Sequence, residues 1–208
     1  MKNFKILIIV FLITQLTACN RDKAKNSANF SEIDSIAGNT DVARYLKSFK
    51  GLGALSDSST APSPEKMLAG FKIADDLSVD LVLSEPKISQ PVEISFDHRG
   101  RLWVVQYNQY PYPKGLKIIN VDNYLRVTFD KVPEAPPEGV KGADKITFFE
   151  DTNGDGIYDK STDAITGLNI ATSVAIGRGK IWVLNPLYLL AYPDPDDDGI
   201  PNGRLLFI

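Results

Sequence analysis

Hydrophobic and polar residues alternate with a period of two through most of the C-terminal half of the chain. Residues 91–96 and 101–107 are two such runs, and the polar tetrad 97–100 between them ends in glycine, which favours an antiparallel hairpin. A second pair of runs has the same form, with residues 172–176, a Gly-Arg-Gly turn, and residues 180–184. The pattern therefore predicts two copies of one β-hairpin, each with one face directed to a core.

Each hairpin is followed by a third apolar run that leads into an acidic loop. These runs are 146–149 and 189–192, and residues 163–168 add a fourth strand after the first loop. Trp103 and Trp182 lie at equivalent places in the two hairpins, and their alternation with Val and Leu makes both predicted core residues. Four antiparallel strands that recur after roughly 40 to 45 residues are typical of a β-propeller blade. We predict an all-β fold, an incomplete β-propeller of about two four-stranded antiparallel blades.

An insertion, residues 108–142, separates the two copies. It contains a candidate strand pair, 116–121 with 124–129, and a proline-rich stretch at 132–138. Proline cannot donate to a central hydrogen-bond ladder, so this excursion is expected at the surface.

Two further elements are predicted before the first hairpin. Ser63, followed by Pro64 and Glu65, has the composition of a helix start, and the helix is expected to end near Gly70. The alternating run 78–83 predicts a strand that ends before a Glu-Pro pair.

The N-terminal region has the pattern of an exported, anchored protein. Residues 1–18 combine two lysines, an apolar stretch and a small-residue end, which indicates a signal peptide too short to span a membrane. The sequence Leu-Thr-Ala-Cys resembles a bacterial lipoprotein box, so Cys19 is the predicted lipidation site and membrane anchor. A plain secretory signal is the alternative. Residues 19–62 are predicted to be a flexible tether with a short helix at 41–49, and residues 63–208 the ordered domain.

Localisation and excluded chemistries follow from a few residues. Asn20 after the cysteine favours the outer membrane of the bacterial cell envelope. Cys19 is the only cysteine, which excludes intrachain disulfides, CxxC zinc sites and CxxCH haem attachment. The formal net charge is -3 and no long basic block occurs, which argues against a nucleic-acid partner.

Two aspartate-rich loops repeat after 43 residues, from Asp151 to Asp194, with oxygen side chains at relative positions 1, 3, 5 and 9 and glycine at position 6. Carboxylates are the hard oxygen ligands that Ca²⁺ prefers, and glycine permits the backbone reversal around an ion. Neither loop is an EF-hand, because position 12 lacks Glu and the flanking runs are β-type. The alternative is a pair of metal-free turns. The predicted calcium ligands are Asp151, Asn153, Asp155, Ile157 and Asp159 in the first loop and Asp194, Asp196, Asp198 and Asn202 in the second.

Other candidate site residues are one histidine and a group of tyrosines. His98 is the sole histidine, and its place in a polar turn indicates a solvated residue rather than a catalytic base. Tyr107, Tyr110 and Tyr112 offer flat apolar faces to the rings of a sugar or polysaccharide, although tyrosines interleaved with proline often only pack a loop.

Several motifs, in order along the chain, resemble a known family. They are Ser63-Pro-Glu-Lys, Phe71-Lys-Ile, Leu81-Val-Leu-Ser-Glu-Pro86, Pro91-Val, Phe96-Asp97, Gly100-Arg-Leu-Trp-Val-Val105, Tyr110-Pro111 and Phe149-Glu-Asp-Thr-Asn-Gly-Asp-Gly156. Their order is similar to the N-terminal part of the membrane-bound dehydrogenase β-propellers, exported bacterial proteins related to PQQ-dependent glucose/sorbosone dehydrogenase-like propellers, many of which carry a CxxCH haem domain. The resemblance implies oxidation of sugars or polyols outside the cytoplasm, with PQQ or haem as cofactor.

Two functions from different classes therefore stand as expectations. In the first, the chain is the N-terminal part of an exported, lipid-anchored dehydrogenase-like propeller, with the remaining blades and a haem domain as its partners. In the second, it is a non-catalytic surface lipoprotein, stabilised by calcium, that binds a glycan or a protein. About two blades do not close a propeller of typically four to eight. The chain is accordingly expected to be a truncated gene product, or else to be completed by oligomerisation.

Overall fold

A computed structural model of the protein describes residues 30–48, 62–109 and 112–207. The fold is mostly β, with antiparallel four-stranded sheets and a few short helices, as the alternation of polar and apolar residues predicts. Within those ranges, no helix has the length and apolar character needed to cross a membrane. The predicted signal peptide, Cys19, most of the predicted tether and Tyr110 lie outside the described residues.

In the part of the chain that the structure describes, three helices precede the sheets: α1 (Phe30–Ile36), α2 (Thr40–Ser48) and α3 (Pro64–Leu68). Helix α2 falls within one residue of the helix predicted in the tether, whereas α1 was not predicted. The side chain of Asn39 caps α2, because its Oδ1 accepts the N–H of Val42 at 2.9 Å. Ser63 caps α3 as predicted and accepts the N–H of Lys66 at 3.3 Å.

Sheet 1 is a four-stranded antiparallel meander that the insertion interrupts. Its strands, in spatial order, are β1 (Pro91–Phe96), β2 (Leu102–Gln106), β5 (Asp144–Glu150) and β6 (Lys160–Leu168). The insertion folds as a separate two-stranded sheet of β3 (Ile118–Val121) and β4 (Val127–Phe129), which confirms the extra strand pair predicted there.

Sheet 2 repeats the meander without an insertion. Its strands are β7 (Ser173–Gly177), β8 (Lys180–Asn185), β9 (Tyr188–Pro193) and β10 (Leu206–Phe207), which lie side by side in that order. The first acidic loop (residues 151–159) joins β5 to β6, and the second (residues 194–202) follows β9. Both sheets are open, and the described residues show no closed propeller.

The core lies between the two sheets. It is built from alternate residues of both, namely Trp103, Val105, Ile146, Phe148, Ile165 and Leu168 from sheet 1 and Val174, Ile181, Val183 and Leu190 from sheet 2, with Ala171 between them. Trp103 is fully buried, as predicted. The core prediction for Trp182 was wrong, because this side chain is only partly buried and lies on the opposite face of sheet 2.

The strand predicted at 78–83 does not form. This segment has no regular structure, and Val79, Leu81 and Val82 are exposed. A strand needs a neighbour to complete its hydrogen-bond ladder, and no described strand pairs with this segment.

Candidate metal centre

The second acidic loop is a tight reversal held at both ends by main-chain hydrogen bonds. The N–H of Asp194 donates to the carbonyl of Gly179 at 2.9 Å, and the N–H of Asn202 donates to the carbonyl of Pro193 at 2.8 Å. Asp197 and Gly199 have φ values of 60° and 93°, so the chain turns back within the loop. Alternate side chains are thereby directed to one side, as the spacing predicts.

Three carboxylates of this loop converge. Asp194, Asp196 and Asp198 each place one oxygen within 4.8 Å of the others. Asp194 is buried, whereas Asp196 and Asp198 are exposed at the rim. Like charges this close repel unless a cation or a proton compensates them.

The buried carboxylate of Asp194 lacks a full set of hydrogen-bond donors. Its Oδ2 accepts the N–H of Gly199 at 3.1 Å, while its Oδ1 is buried and accepts no hydrogen bond, although the residue is only 1% exposed. Burial raises the pKa of Asp194 above its ordinary value, and the neighbouring carboxylates of Asp198, Asp196 and Asp197 raise it further against the single stabilising N–H. A buried oxygen without a partner is costly, so this carboxylate is suited to a cation.

Asn202, the remaining predicted ligand of the second loop, contacts this cluster. Asp196 accepts a hydrogen bond from the side-chain amide of Asn202 at 2.9 Å, which brings Asn202 to the cluster. Asp198 accepts the N–H of Ile200 at 2.7 Å through one oxygen. The loop thus offers carboxylate oxygens of the kind that coordinate Ca²⁺.

The first acidic loop differs, because its carboxylates accept hydrogen bonds from within the loop. Asp151 accepts the N–H groups of Gly154 at 2.7 Å and Gly156 at 2.8 Å, and these bonds hold its pKa below the ordinary value. The Asp159 carboxylate accepts hydrogen bonds from the hydroxyl and the backbone N–H of Thr152, and these bonds lower the pKa of Asp159 likewise.

The remaining predicted ligands of the first loop are arranged in the same closed manner. The Asn153 amide donates to Asp155 at 3.0 Å, and Asp155 in turn accepts the N–H of Ile157 at 2.8 Å. Among the described residues, the aspartates of the second loop are the group of three acidic side chains that converge, and those of the first loop form no such group.

Side chains in the turn between β1 and β2 of sheet 1 bind the second loop. The Arg101 guanidinium donates to the carbonyl of Asp198 at 2.5 Å and to that of Asp197 at 3.4 Å. His98 and Arg99 both reach a carboxylate oxygen of Asp197, at 2.9 and 3.1 Å. We call this set of contacts the clasp.

Asp97 fixes Arg101 for this role. Its carboxylate accepts Nε of Arg101 at 2.5 Å and the indole N–H of Trp103 at 2.9 Å, and it is fully buried. Burial alone would raise the pKa of Asp97, but the hydrogen bonds from Trp103, Arg101 and Arg99 outweigh it and hold the pKa below its ordinary value. Arg101 also stacks over the Phe148 ring at 4.7 Å.

His98 and the described tyrosines do not form a common site. His98 is largely exposed, with 67% of its side-chain surface accessible, as expected for a turn residue, and it belongs to the clasp. Tyr107 and Tyr112 are partly buried at the base of the insertion, where their backbone N–H groups donate to Gln90 and Gln109.

Sequence reasoning missed the clasp, although a signal for it is present. Asp97 and Arg101 have the spacing Asp-x-x-x-Arg, and Asp122 and Arg126 repeat it at the β3–β4 turn with the same Nε hydrogen bond, at 2.6 Å. The repeated pair identifies a stabilised turn. It does not reveal that the first arginine reaches residues 96 to 97 positions further along the chain.

The fold and the site define a mostly β protein with tandem four-stranded sheets and an acidic loop wedged between them. The family model of a domain of unknown function (DUF7133) matches residues 63–207, and the chain belongs to that family. No curated protein and no solved structure matches the chain.

Proposed function

We propose that the protein is a calcium-stabilised, extracytoplasmic module in which sheets 1 and 2 are consecutive propeller blades. The observation that carries this proposal is the buried, unpartnered Oδ1 of Asp194 beside the carboxylates of Asp196 and Asp198. Calcium satisfies such a set because it takes six to eight oxygen ligands in flexible geometry. The same tandem arrangement of four-stranded meanders supports the assignment as propeller blades.

The ion's role follows from the position of the loop. Calcium on the side chains of the second loop neutralises their mutual repulsion and fixes the loop backbone. The carbonyls of Asp197 and Asp198 then face the Arg101 guanidinium in a constant position. The site accordingly stabilises the packing of sheet 2 on sheet 1.

Thermal unfolding of the full chain with calcium and with a chelator tests this role. We expect saturating calcium to raise the melting temperature by about 5 °C or more. Asp194→Asn is expected to remove most of that gain. It is also expected to melt higher than the wild type in chelator, because it relieves a buried, repelled charge.

Asp155→Ala is the matched variant in the first loop. This loop stays a predicted calcium site, and the variant measures its share of the gain. We expect Asp155→Ala to lose less of the calcium-induced rise in melting temperature than Asp194→Asn, because the first-loop carboxylates must give up hydrogen bonds within the loop to bind an ion. An unchanged melting temperature in calcium, or a full gain in Asp194→Asn, would contradict the proposed centre.

A second candidate function is that of the first blades of an exported, lipid-anchored dehydrogenase-like propeller. It is supported by the order of motifs from Ser63 to Gly156 and by the tandem sheets. PQQ and haem enter only through this resemblance, and a sugar or polyol is the substrate class that it implies. The alternative is the non-catalytic surface lipoprotein.

Fractionation of the bacterial envelope tests anchoring and partner together. We expect the chain in the outer-membrane fraction, and Cys19→Ala in the soluble fraction. The dehydrogenase proposal further predicts that the chain co-migrates with a haem-staining protein on native gels. Isolation without any haem protein or quinone cofactor would favour the non-catalytic alternative.

A further inference from the structure

The hairpin repeat relates the faces of the two sheets to one another. Aligning Trp103 with Trp182 places Leu102 opposite Ile181 and Val104 opposite Val183. The face of sheet 1 that carries Trp103 packs on the face of sheet 2 that carries Ile181 and Val183. We call these the Trp103 face and the Ile181 face. The core of the molecule is their contact.

The two outer faces are the repeats of these same surfaces. The Trp182 face of sheet 2, which also carries Leu184, Leu189 and Leu206, is the counterpart of the Trp103 face. The Leu102 face of sheet 1 is the counterpart of the Ile181 face. The molecule therefore has one outer face of each type, and the types are those that already bind one another in its core.

Both outer faces leave apolar residues uncovered. Leu184 and Leu206 are 45% and 44% exposed on the Trp182 face. On the Leu102 face, Leu83, Ile88 and Tyr158 cover the inner strands, but Ile94 and Phe96 of β1 are 61% and 64% exposed. The counterparts of Ile94 and Phe96 are Val174 and Ile176, which pack in the core.

The core shows which strands meet in such a contact. There, β7 of sheet 2 packs against β1 and β2 of sheet 1. In an equivalent contact between molecules, β1 of one copy takes the place of β7. The strands β7 and β8 of the other copy take the places of β1 and β2. An equivalent contact between molecules thus places Ile94 and Phe96 of one against Trp182 and Leu184 of the other.

We propose that a second copy of this chain occupies the Trp182 face with its Leu102 face, repeating head to tail the contact seen between sheets 1 and 2. The outer faces continue that internal interface, and Leu184 and Leu206 on one face and Ile94 and Phe96 on the other stay exposed. Such a contact joins two different surfaces, so it closes into a ring when the rotation per copy permits. If sheets 1 and 2 are two blades, as proposed above, a propeller of typically four to eight blades holds about two to four copies.

Sedimentation velocity of the full chain in non-ionic detergent, with calcium present, tests this proposal. We expect the wild type to sediment as an oligomer. Leu184→Asp on one face and Phe96→Asp on the other are each expected to weaken self-association at least about tenfold, because each buries a charge in an apolar contact. Val132→Asp is the control, since Val132 is 62% exposed but lies in the insertion, on neither face.

Mixing the two variants separates a head-to-tail contact from any other. Phe96→Asp keeps an intact Trp182 face and Leu184→Asp keeps an intact Leu102 face, so the mixture is expected to form a heterodimer through one surviving contact. Leu184→Ser and Phe96→Ser provide a milder second pair, with unfolding measured for each variant. A monomeric wild type at every concentration would overturn the proposal and leave the faces to another protein. Persistent oligomers in both variants, or no association in the mixture, would also overturn it.

Discussion

Asp97 shows how one side chain joins a local turn to a distant loop. Its carboxylate accepts four hydrogen bonds, from the backbone of Arg99 and Arg101 and from the side chains of Arg101 and Trp103. These bonds satisfy a buried charge and orient Arg101 toward the second acidic loop. The energetic role of Asp97 is therefore larger than that of an ordinary turn aspartate.

Asp97→Asn tests this role through its pH dependence. We expect a loss of about 3 kcal/mol in unfolding free energy at neutral pH, because one partner of a buried ion pair is removed. The folded pKa of Asp97 lies below its ordinary value of 3.8. Its stabilising contribution is therefore complete above that value and is lost as the pH falls through the folded pKa. The gap between wild type and variant should narrow in that acidic range.

Asp122→Asn is the matched control for Asp97→Asn. Asp122 makes the same bonds to Arg126 and to the backbone of its turn, but in an exposed hairpin. Urea unfolding should show a much smaller loss for this variant. Equal losses at the two positions, or a gap at Asp97 that does not change with pH, would contradict the account.

At the scale of elements, the two acidic loops share a sequence pattern and differ in what they touch. Gly156 and Gly199 occupy position 6 of each loop with φ values of 86° and 93°. A Cβ added at Gly156 meets nothing within 4 Å, whereas one added at Gly199 meets Arg101 and Phe148 of sheet 1, each at 2.8 Å. At position 6, therefore, the second loop is packed against sheet 1, whereas the first loop is open.

The paired variants Gly156→Ala and Gly199→Ala measure that difference. Both pay for a left-handed backbone conformation, about 1 kcal/mol. We expect Gly199→Ala to lose about 2 kcal/mol more, because it also displaces Arg101 or Phe148. Urea unfolding in chelator, which removes any contribution from metal, gives both values. Equal losses would show that the loop does not press on sheet 1.

The elements that sequence predicts well are those set by local pattern. Both hairpins, the strand pair of the insertion and the cap at Ser63 follow from alternation and turn chemistry. The run 78–83 has the same alternation, but no strand in the described ranges pairs with it, and a local pattern does not show whether a strand will find a neighbour. Trp182 has the same place in its hairpin as Trp103. Whether it is buried depends on another sheet packing on its face, and the local pattern does not show that.

The candidate site divides in the same way. Spacing predicts which oxygens belong to each loop, and the structure brings Asp194, Asp196 and Asp198 together. The spacing does not predict that Asp151 accepts hydrogen bonds from the backbone of its own loop, or that Arg101 donates hydrogen bonds to the second loop. Those outcomes depend on tertiary contacts between residues far apart in the chain.

At the scale of the whole molecule, two similar sheets are joined by three kinds of contact. The apolar core joins them through buried side chains of both sheets. Glu93 of β1 accepts the N–H of Val174 at 2.6 Å, which ties the sheets at one edge. The clasp ties them at the second acidic loop, where the proposed ion would act on both sheets at once.

Hydrogen–deuterium exchange of the full chain, with calcium and with chelator, measures whether an ion at the second acidic loop acts on both sheets. We expect calcium to slow amide exchange in residues 194–202 and also in the turn 97–101 of sheet 1, with both effects absent in Asp194→Asn. Protection confined to residues 151–159, or no change in either segment of the clasp, would contradict it.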